Sequence, residues 1–311
     1  MPSSLCVLEI ERCHNLISIE ECLLPEQLPV IQKIILVDCK ELKSVPVENF
    51  SGFVLLQELK VSLCPKITCS TELLLPTSIQ KLVMQSCGNL DISLSNCLKH
   101  LTNLSMLRLE KCPNITSLED DALNHLVKLQ VLSIRECEKL SILGRLPNPL
   151  LLKELSIIRC LNLAQVDLLM ENNAQGGSSR PLLHFMVISD TSLLKYPSFK
   201  SALPFLQTLE IEGSVEMSMF NEEYQEILQN LNLLKKLSFS DCANLQQLPP
   251  WLHSLTSLNY LEVVNCPQIK SLPENGLPTS LTEYCCVGCN PVFTEQFKRH
   301  MEACHQVRHS L

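Results

Sequence analysis

A twelve-residue pattern recurs along this chain, and it constrains the possible folds more than any other feature. Its frame is L-x-x-L-x-[IV]-x-x-C-x-x-[LI], and it is complete in LQVLSIRECEKL, residues 129 to 140. Twelve copies begin at Leu5, Ile31, Leu56, Ile79, Leu104, Leu129, Leu152, Leu183, Leu206, Leu234, Leu258 and Leu281. Their mean spacing of about 25 residues is typical of repeats that bury their apolar faces only against their neighbours.

The alternation inside the frame predicts a short strand. Two apolar side chains point to one face and the residues between them to the other, which is the period of a β-strand. Segments punctuated by proline return the chain between strands and block long helices, and Trp251 is expected to pack within one of them. The period then predicts an α/β solenoid: a leucine-rich-repeat horseshoe with a concave parallel β-sheet, about twelve repeats and a short C-terminal cap helix.

The ninth position of the frame is expected to form a structural ladder. Cysteine is small, tolerates burial and can donate a weak hydrogen bond to backbone where the strand ends. The predicted ladder residues are Cys13, Cys39, Cys64, Cys87, Cys112, Cys137, Cys160, Thr191, Ser214, Cys242, Cys266 and Cys289. This assignment accounts for ten of the seventeen cysteines.

The repeats predict one leucine-rich-repeat domain over residues 1–293, followed by a C-terminal capping helix and tail over 294–311. We expect Thr294 to cap this helix. The apolar stripe that would cover the last repeat consists of Phe293, Phe297, Met301 and Cys304. The polar segment from 171 to 180 predicts a flexible loop. Because terminal repeats need covering, we also expect further repeats or another domain before Leu5.

Composition and charge argue against several classes of protein. A net charge of -8 disfavours nucleic-acid binding through a basic surface. No apolar run approaches the ~20 residues of a membrane helix, and the start MPSSLCVLEIERC does not read as a signal peptide. Seventeen cysteines, an odd number spaced by the repeat, favour reduced thiols over disulfides. These features predict a cytoplasmic or nuclear protein.

Motifs of common enzyme classes are missing from the sequence. It contains no phosphate-binding loop, dinucleotide fingerprint, zinc-protease helix or nucleophile elbow, so we expect no enzyme activity and no cofactor. The end of the chain is rich in cysteine and histidine, as zinc sites are. It reads CCVGCNPVFTEQFKRHMEACHQVRH from 285 to 309. Because the repeat register absorbs most of it, no metal site is predicted. Zinc held by Cys286, Cys289, Cys304 and a histidine stays an open alternative.

The variable strand positions form a surface large enough for a protein partner. In the last five repeats one basic residue, Lys236, is accompanied by six acidic ones: Asp190, Glu210, Glu212, Asp241, Glu262 and Glu283. Such an excess would orient a partner that carries a basic patch, and the alternative is a merely solvated face. The predicted partner-binding residues are Lys60, Arg108, Arg135, Arg159, Phe185, Glu210, Glu212, Tyr260 and Glu262.

Three proline phrases between the strands discriminate better than the repeat itself. They are Leu75-Pro-Thr-Ser-Ile79, Leu248-Pro-Pro-Trp-Leu252 and Leu277-Pro-Thr-Ser-Leu281. With them the chain resembles, over nearly its whole length, the C-terminal repeats of plant NB-LRR disease-resistance receptors. The resemblance implies a recognition and autoinhibition module that binds a pathogen effector or guarded host protein, and the nucleotide-binding domain of the same receptor. Recognition would lead to a defence response and local cell death.

Two other classes share part of the pattern. The repeats of F-box ubiquitin-ligase receptors also use a ladder cysteine, and Leu109-Glu-Lys-Cys-Pro-Asn-Ile-Thr116 is close to their style. The proline punctuation is foreign to that class. An extracellular receptor ectodomain would be expected to show a signal peptide and flanking cysteine pairs.

Overall fold

The computed structural model describes residues 4–69, 71–168, 181–195, 199, 202–214, 217–220, 222–228 and 231–308. They belong to two compact units, Met1–Glu154 with Cys160–Arg180 and Leu155–Arg159 with Pro181–Leu311. Each unit repeats one short strand, a tight turn and an irregular return segment. The predicted flexible loop from 171 to 180 lies outside the described residues.

The first unit contains parallel strands that lie side by side in chain order. They are β1 (Val7–Glu11), β2 (Lys33–Val37), β3 (Glu58–Ser62), β4 (Lys81–Gln85), β5 (Met106–Glu110) and β7 (Val131–Arg135). A small three-stranded parallel sheet joins three return segments. It consists of β6 (Ser117–Leu118), β8 (Ile142–Leu143) and β10 (Gln165–Val166).

The second unit repeats this arrangement. Its strands are β9 (Glu154–Ile158), β11 (Phe185–Ile188), β12 (Thr208–Glu212), β13 (Lys236–Ser240), β14 (Tyr260–Val264) and β15 (Glu283–Val287). Neighbouring strands pair without a register shift between repeats, as in Leu209 with Leu237 and Leu237 with Leu261. Parallel pairing follows because each return segment brings the chain back to the same end of the sheet.

The repeat frame sets the strands and the core. Each of the twelve strands begins two residues after the first apolar residue of its frame, as β7 begins at Val131 after Leu129. In that repeat Leu129, Leu132 and Ile134 are all buried, and the residues between them face away from the core. The predicted leucine-rich-repeat solenoid is therefore confirmed in each unit.

Among the described residues, the helices lie in the return segments and at the end of the chain. The α-helices there are α1 (Leu94–Leu98), α2 (Asp120–Leu123) and α3 (Glu222–Leu228). Short 3-10 helices span Glu20–Cys22, Val47–Gly52, Leu90–Ser93, Pro149–Leu151, Thr191–Lys195, Leu203–Phe205 and Leu252–Ser254. In the second unit, Phe220 contacts Tyr224, Phe239 and Trp251 edge-on, with ring centres 5.7 to 6.2 Å apart. Trp251 is 4% exposed, which confirms that it packs in its return segment.

The last helix, α4 (Pro291–Arg308), begins earlier than the sequence predicts. Asn290 rather than Thr294 caps it: the Asn290 side-chain oxygen accepts the Val292 N–H at 2.9 Å, and the Asn290 carbonyl accepts the Thr294 N–H at 3.0 Å. Pro291 suits the first helical position because an N–H there would have no partner in the helix.

The apolar stripe of α4 packs against the last strand. Phe293, Phe297 and Met301 are buried, and the rings of Tyr284 and Phe297 lie 5.0 Å apart. The stripe is thus confirmed for its first three members. The side chain of Cys304, its predicted fourth member, lies outside the described part of the chain.

Candidate functional site

The candidate site is the sheet face, by which we mean the strand side chains that alternate with the buried ones. Because the strands pair in register, these side chains form rows across the second unit. One row consists of Phe185, Thr208, Lys236, Tyr260 and Glu283. The next consists of Val187, Glu210, Ser238, Glu262 and Cys285.

Lys236 lies at the centre of this face. Its Nζ is 2.8 Å from Glu210 Oε1 and 3.3 Å from Glu262 Oε2, and it lies 5.4 Å from the centre of the Tyr260 ring. Partial burial alone would lower the pKa of Lys236, but the hydrogen bonds and charges of Glu210 and Glu262 outweigh it and raise the pKa. Lys236 therefore stays charged and holds two of the predicted partner-binding carboxylates in fixed positions.

A second basic residue compensates Asp241. The Arg159 Nη2 atom lies 3.8 Å from Asp241 Oδ2, and a Cβ at Gly213 would lie 2.7 Å from Arg159 Nε. The absence of a side chain at Gly213 thus leaves room for the guanidinium. The acidic excess that the sequence suggests for the last five repeats, which already counts Lys236, is reduced further because Arg159 from an earlier repeat compensates Asp241.

The two predicted aromatic anchors share one row but do not touch. Phe185 and Tyr260 are half-buried, and Thr208 and Lys236 lie between them. Three strand spacings separate the two rings by about 14 Å. Each aromatic side chain can thus enter a separate pocket of a partner, with the charged cluster between them. Glu212 lies in a third row, beside Ser240.

In the first unit the predicted basic residues fall in two rows. Lys60 and Arg108 lie on either side of Val83, with Arg108 exposed and Lys60 half-buried. Arg135 lies in the neighbouring row, beside Glu110. Pairs of opposite charge occur here as well, since Lys33 Nζ is 3.4 Å from Glu58 Oε2. This face is mixed in charge.

The predicted ladder residues lie where each strand ends. Several donate from Sγ to a carbonyl oxygen one repeat earlier, at 3.4 to 3.6 Å. These pairs are Cys39 with Ile10, Cys112 with Met84, Cys242 with Ile211, Cys266 with Phe239 and Cys289 with Val263. Burial raises the pKa of Cys64 to about 11, so that thiol stays protonated. Thr191 differs, because its hydroxyl pairs with the Tyr224 hydroxyl at 3.0 Å.

The ladder interpretation predicts the effect of removing one donor. Cys112→Ala should lower the free energy of unfolding by about 1–3 kcal/mol, because the buried Met84 carbonyl loses the Cys112 thiol as a donor. Cys112→Ser should cost less, since a hydroxyl can still donate to the same carbonyl. Urea titration followed by circular dichroism measures both. The half-buried Cys22, changed to alanine, is the control, and equal losses for serine and alanine at 112 would contradict the donor role.

Sequence reasoning missed the residue that precedes each ladder position. In eleven of the twelve repeats it has a left-handed backbone, with φ between 46° and 67°. These residues are Arg12, Asp38, Leu63, Ser86, Lys111, Glu136, Arg159, Gly213, Asp241, Asn265 and Gly288. The signal was present, because glycine, aspartate and asparagine recur at this one register and tolerate that conformation best.

A buried carboxylate was missed as well. Asp91 is 1% exposed and accepts two hydrogen bonds from Asn114, from the backbone N–H at 3.0 Å and from the side-chain amide at 2.7 Å. Asp91 lies in a return segment and Asn114 in the next one, so no periodic pattern connects them. The pair joins two neighbouring repeats away from the sheet face.

Two of the candidate zinc ligands, Cys286 and Cys304, lie near different parts of α4. Cys286 Sγ is 3.6 Å from Thr294 Oγ1, near the start of α4. Cys304 lies further along the same helix, about 15 Å from Thr294 at the rise of an α-helix. Among the described residues, no group of three His, Cys, Asp or Glu side chains could hold a metal ion. The side chains of Cys304, His305 and His309 lie outside the described part.

Comparisons with known proteins add little to this picture. No protein-family model matches the chain, and no curated protein matches its sequence. Among solved structures, the crystal structure of an internalin (inlF) from Listeria monocytogenes str. 4b F2365 is similar over 93% of this chain and 83% of that chain. The identity is 16% and the TM-score 0.48, a likeness too weak to bear on function.

The class of protein rests on the chain's own structure. Strands that follow the repeat frame, their parallel register and the buried cysteine positions together define a leucine-rich-repeat domain. Within the described residues no helix has the length and apolar character needed to cross a membrane.

Proposed function

We propose that this domain is the recognition and autoinhibition module of an intracellular plant immune receptor of the NB-LRR type. Its sheet face would bind a pathogen effector or a guarded host protein, and the nucleotide-binding domain of the same receptor would be its second partner. The proline phrases that resemble this class support the assignment. Their structural counterparts are the short return segments that end at strands β4, β14 and β15.

The observation that carries the proposal is the central cluster of the sheet face in the second unit. Lys236 fixes Glu210 and Glu262, and the half-buried rings of Phe185 and Tyr260 lie in the same row as Lys236, one on each side of it. Aromatic anchors beside charges held in place are typical of the energetic centre of protein interfaces. At two or three residues a strand, the six strands of the second unit supply about 12–18 residues, a large share of the roughly 20–30 a side of a standard interface.

Exchange of the two aromatic anchors tests the proposal. In a receptor that carries this domain, Phe185→Ala with Tyr260→Ala should weaken effector or host-protein binding by about 10–100-fold, because each buried anchor typically contributes 1 kcal/mol or more. Effector-triggered cell death in leaves and the dissociation constant of the purified pair measure the change. Leu161→Ala with Val54→Ala is the matched control, since both side chains are large, apolar and exposed outside the strands.

The same variants distinguish the two partners. Loss of the effector response indicates the effector contact, and a response without effector indicates a lost contact with the nucleotide-binding domain. An unchanged response with the fold intact would contradict the proposal. Binding of a cullin-ligase adaptor to the receptor would instead favour the F-box class.

A further inference from the structure

Three cysteines lie together at the end of the last strand. Cys285 and Cys286 belong to β15, and Cys289 follows the turn at Gly288, two residues before α4 begins. All three are half-buried, whereas the ladder thiols Cys39, Cys64, Cys242 and Cys266 are fully buried. This cluster therefore combines neighbouring thiols with access to solvent.

Cys286 and Cys289 both neighbour Val263 of β14. Cys286 is paired with Val263 in the sheet, and Cys286 Sγ is 3.6 Å from Thr294 Oγ1 in α4. Cys289 Sγ donates to the Val263 carbonyl at 3.4 Å. Cys285 alternates to the sheet face, in the row of Glu262, and so lies on the opposite side of the strand from Cys286.

The surroundings favour the thiolate at Cys286. The neighbouring Cys289 thiol has the largest effect on Cys286 and, together with the Thr294 hydroxyl, outweighs partial burial and lowers the pKa of Cys286 to about 6. The Cys286 thiol in turn, followed by burial, raises the pKa of Cys289, with a smaller effect of Cys285 in the same direction. The first turn of α4 adds the positive end of a helix dipole nearby.

We propose that Cys286 is a peroxide-reactive thiol and that Cys289 resolves its oxidised form into a Cys286–Cys289 disulfide. The Cys286 thiolate attacks one oxygen of hydrogen peroxide, an S–O bond forms as the O–O bond breaks, and hydroxide leaves. Cys289 then attacks the sulfenic sulfur: the S–S bond forms, the S–O bond breaks, and the Cys289 proton leaves with the hydroxyl as water. Two thiols are oxidised by two electrons, and the peroxide is reduced to two waters.

Oxidation changes the end of the repeat array. The disulfide removes the proton that Cys289 donates to Val263 and the contact of Cys286 with Thr294. The apolar contacts of Phe293 and Phe297 do not depend on either thiol. The site is thus a modification site at the junction of the last strand and its covering helix, independent of the proposed partner on the sheet face.

Alkylation of the unmodified protein tests the first step. With iodoacetamide at pH 6, Cys286 in the folded protein should react about 20-fold faster than Cys286 in urea, where its pKa returns to about 9. At pH 6 the fraction of Cys286 present as thiolate is about 500-fold larger in the folded protein than in urea. The folded-state thiolate is the weaker base and therefore about 20-fold less nucleophilic, so the net rate advantage is about 20-fold. At pH 9 the order should reverse. Site-resolved mass spectrometry measures both rates, and equal pH profiles for folded and unfolded protein would overturn the proposal.

Peroxide oxidation tests the second step. The tryptic peptide 271–298 contains all three cysteines and should lose 2 Da after brief treatment with micromolar hydrogen peroxide. Cys285→Ser should keep this loss, whereas Cys286→Ser and Cys289→Ser should abolish it. In Cys289→Ser, dimedone should trap a sulfenic acid at Cys286. A disulfide that persists in Cys289→Ser, or one that requires Cys285, would refute the assignment. If a variant fails to fold, the pH profile of alkylation of the unmodified protein decides whether the proposal holds.

Discussion

Alanine in place of Phe239 is expected to lower the free energy of unfolding of the second unit by about 3–5 kcal/mol. The ring is fully buried in β13, between Ile211 and Val263 on the neighbouring strands. It also packs edge-on against Phe220, with ring centres 5.7 Å apart. Deleting the ring removes these contacts and leaves a cavity that strands held in register on both sides cannot close.

The single tryptophan provides a local measurement of this effect. Trp251 contacts Phe220 in the same cluster, so its fluorescence reports on the packing around Phe239, while circular dichroism reports on the whole chain. Phe239→Leu should cost less than half as much, because most of the volume is kept. Leu161→Ala, at a side chain that is 76% exposed, should leave the fluorescence midpoint in place. A Phe239→Ala midpoint equal to that of the leucine variant would contradict the packing argument.

Gly88→Ala is expected to lower the free energy of unfolding by about 3 kcal/mol. Gly88 has φ of +64°, and a Cβ there would overlap the Ile67 carbonyl oxygen, with the Ile67 carbonyl carbon only 2.9 Å away. That carbonyl cannot move freely, because it accepts the Asn89 N–H at 3.0 Å. The left-handed backbone costs an L-residue about 1–2 kcal/mol, and displacement of the neighbouring repeat adds to it.

Gly276 offers a control with the same backbone but open space. Its φ is +77°, and the nearest atom to a Cβ there is His300 Cε1 at 4.0 Å. Gly276→Ala should therefore cost about 1 kcal/mol, the conformational part alone. Urea titrations of the two variants measure the difference. Equal losses would show that the approach of Ile67 to Gly88 adds nothing.

The sequence predicts most of the strand architecture because one physical pattern repeats. Alternation places Leu132 and Ile134 inside and Ser133 outside, and the constant frame brings each strand into register with the next. Phe185 and Tyr260 could be assigned to the sheet face for the same reason. Predictions of this kind need only the period of a strand and the small size of the ladder residue.

Features that depend on contacts between side chains at unrelated positions of neighbouring repeats could not be predicted in this way. The position of Lys236 between Glu210 and Glu262 depends on side-chain reach across strands, and it alters the charge that a partner meets. The pair of Asp91 and Asn114 lies in return segments without a common period. The start of α4 followed Asn290 and Pro291, whose capping preferences outweigh that of Thr294.

In each repeat that has a left-handed residue before its ladder position, the turn that serves folding is separate from the sheet-face residues that serve recognition. Eight residue types occupy this left-handed position in the eleven repeats named above, from glycine to leucine and arginine, so the backbone conformation there is imposed by the strand and the ladder rather than by the side chain. In an array whose repeats couple only to their neighbours, stability gained or lost at this turn remains local. A repeat can therefore change its sheet-face residues and recover stability at its own turn, which leaves recognition and folding free to evolve separately.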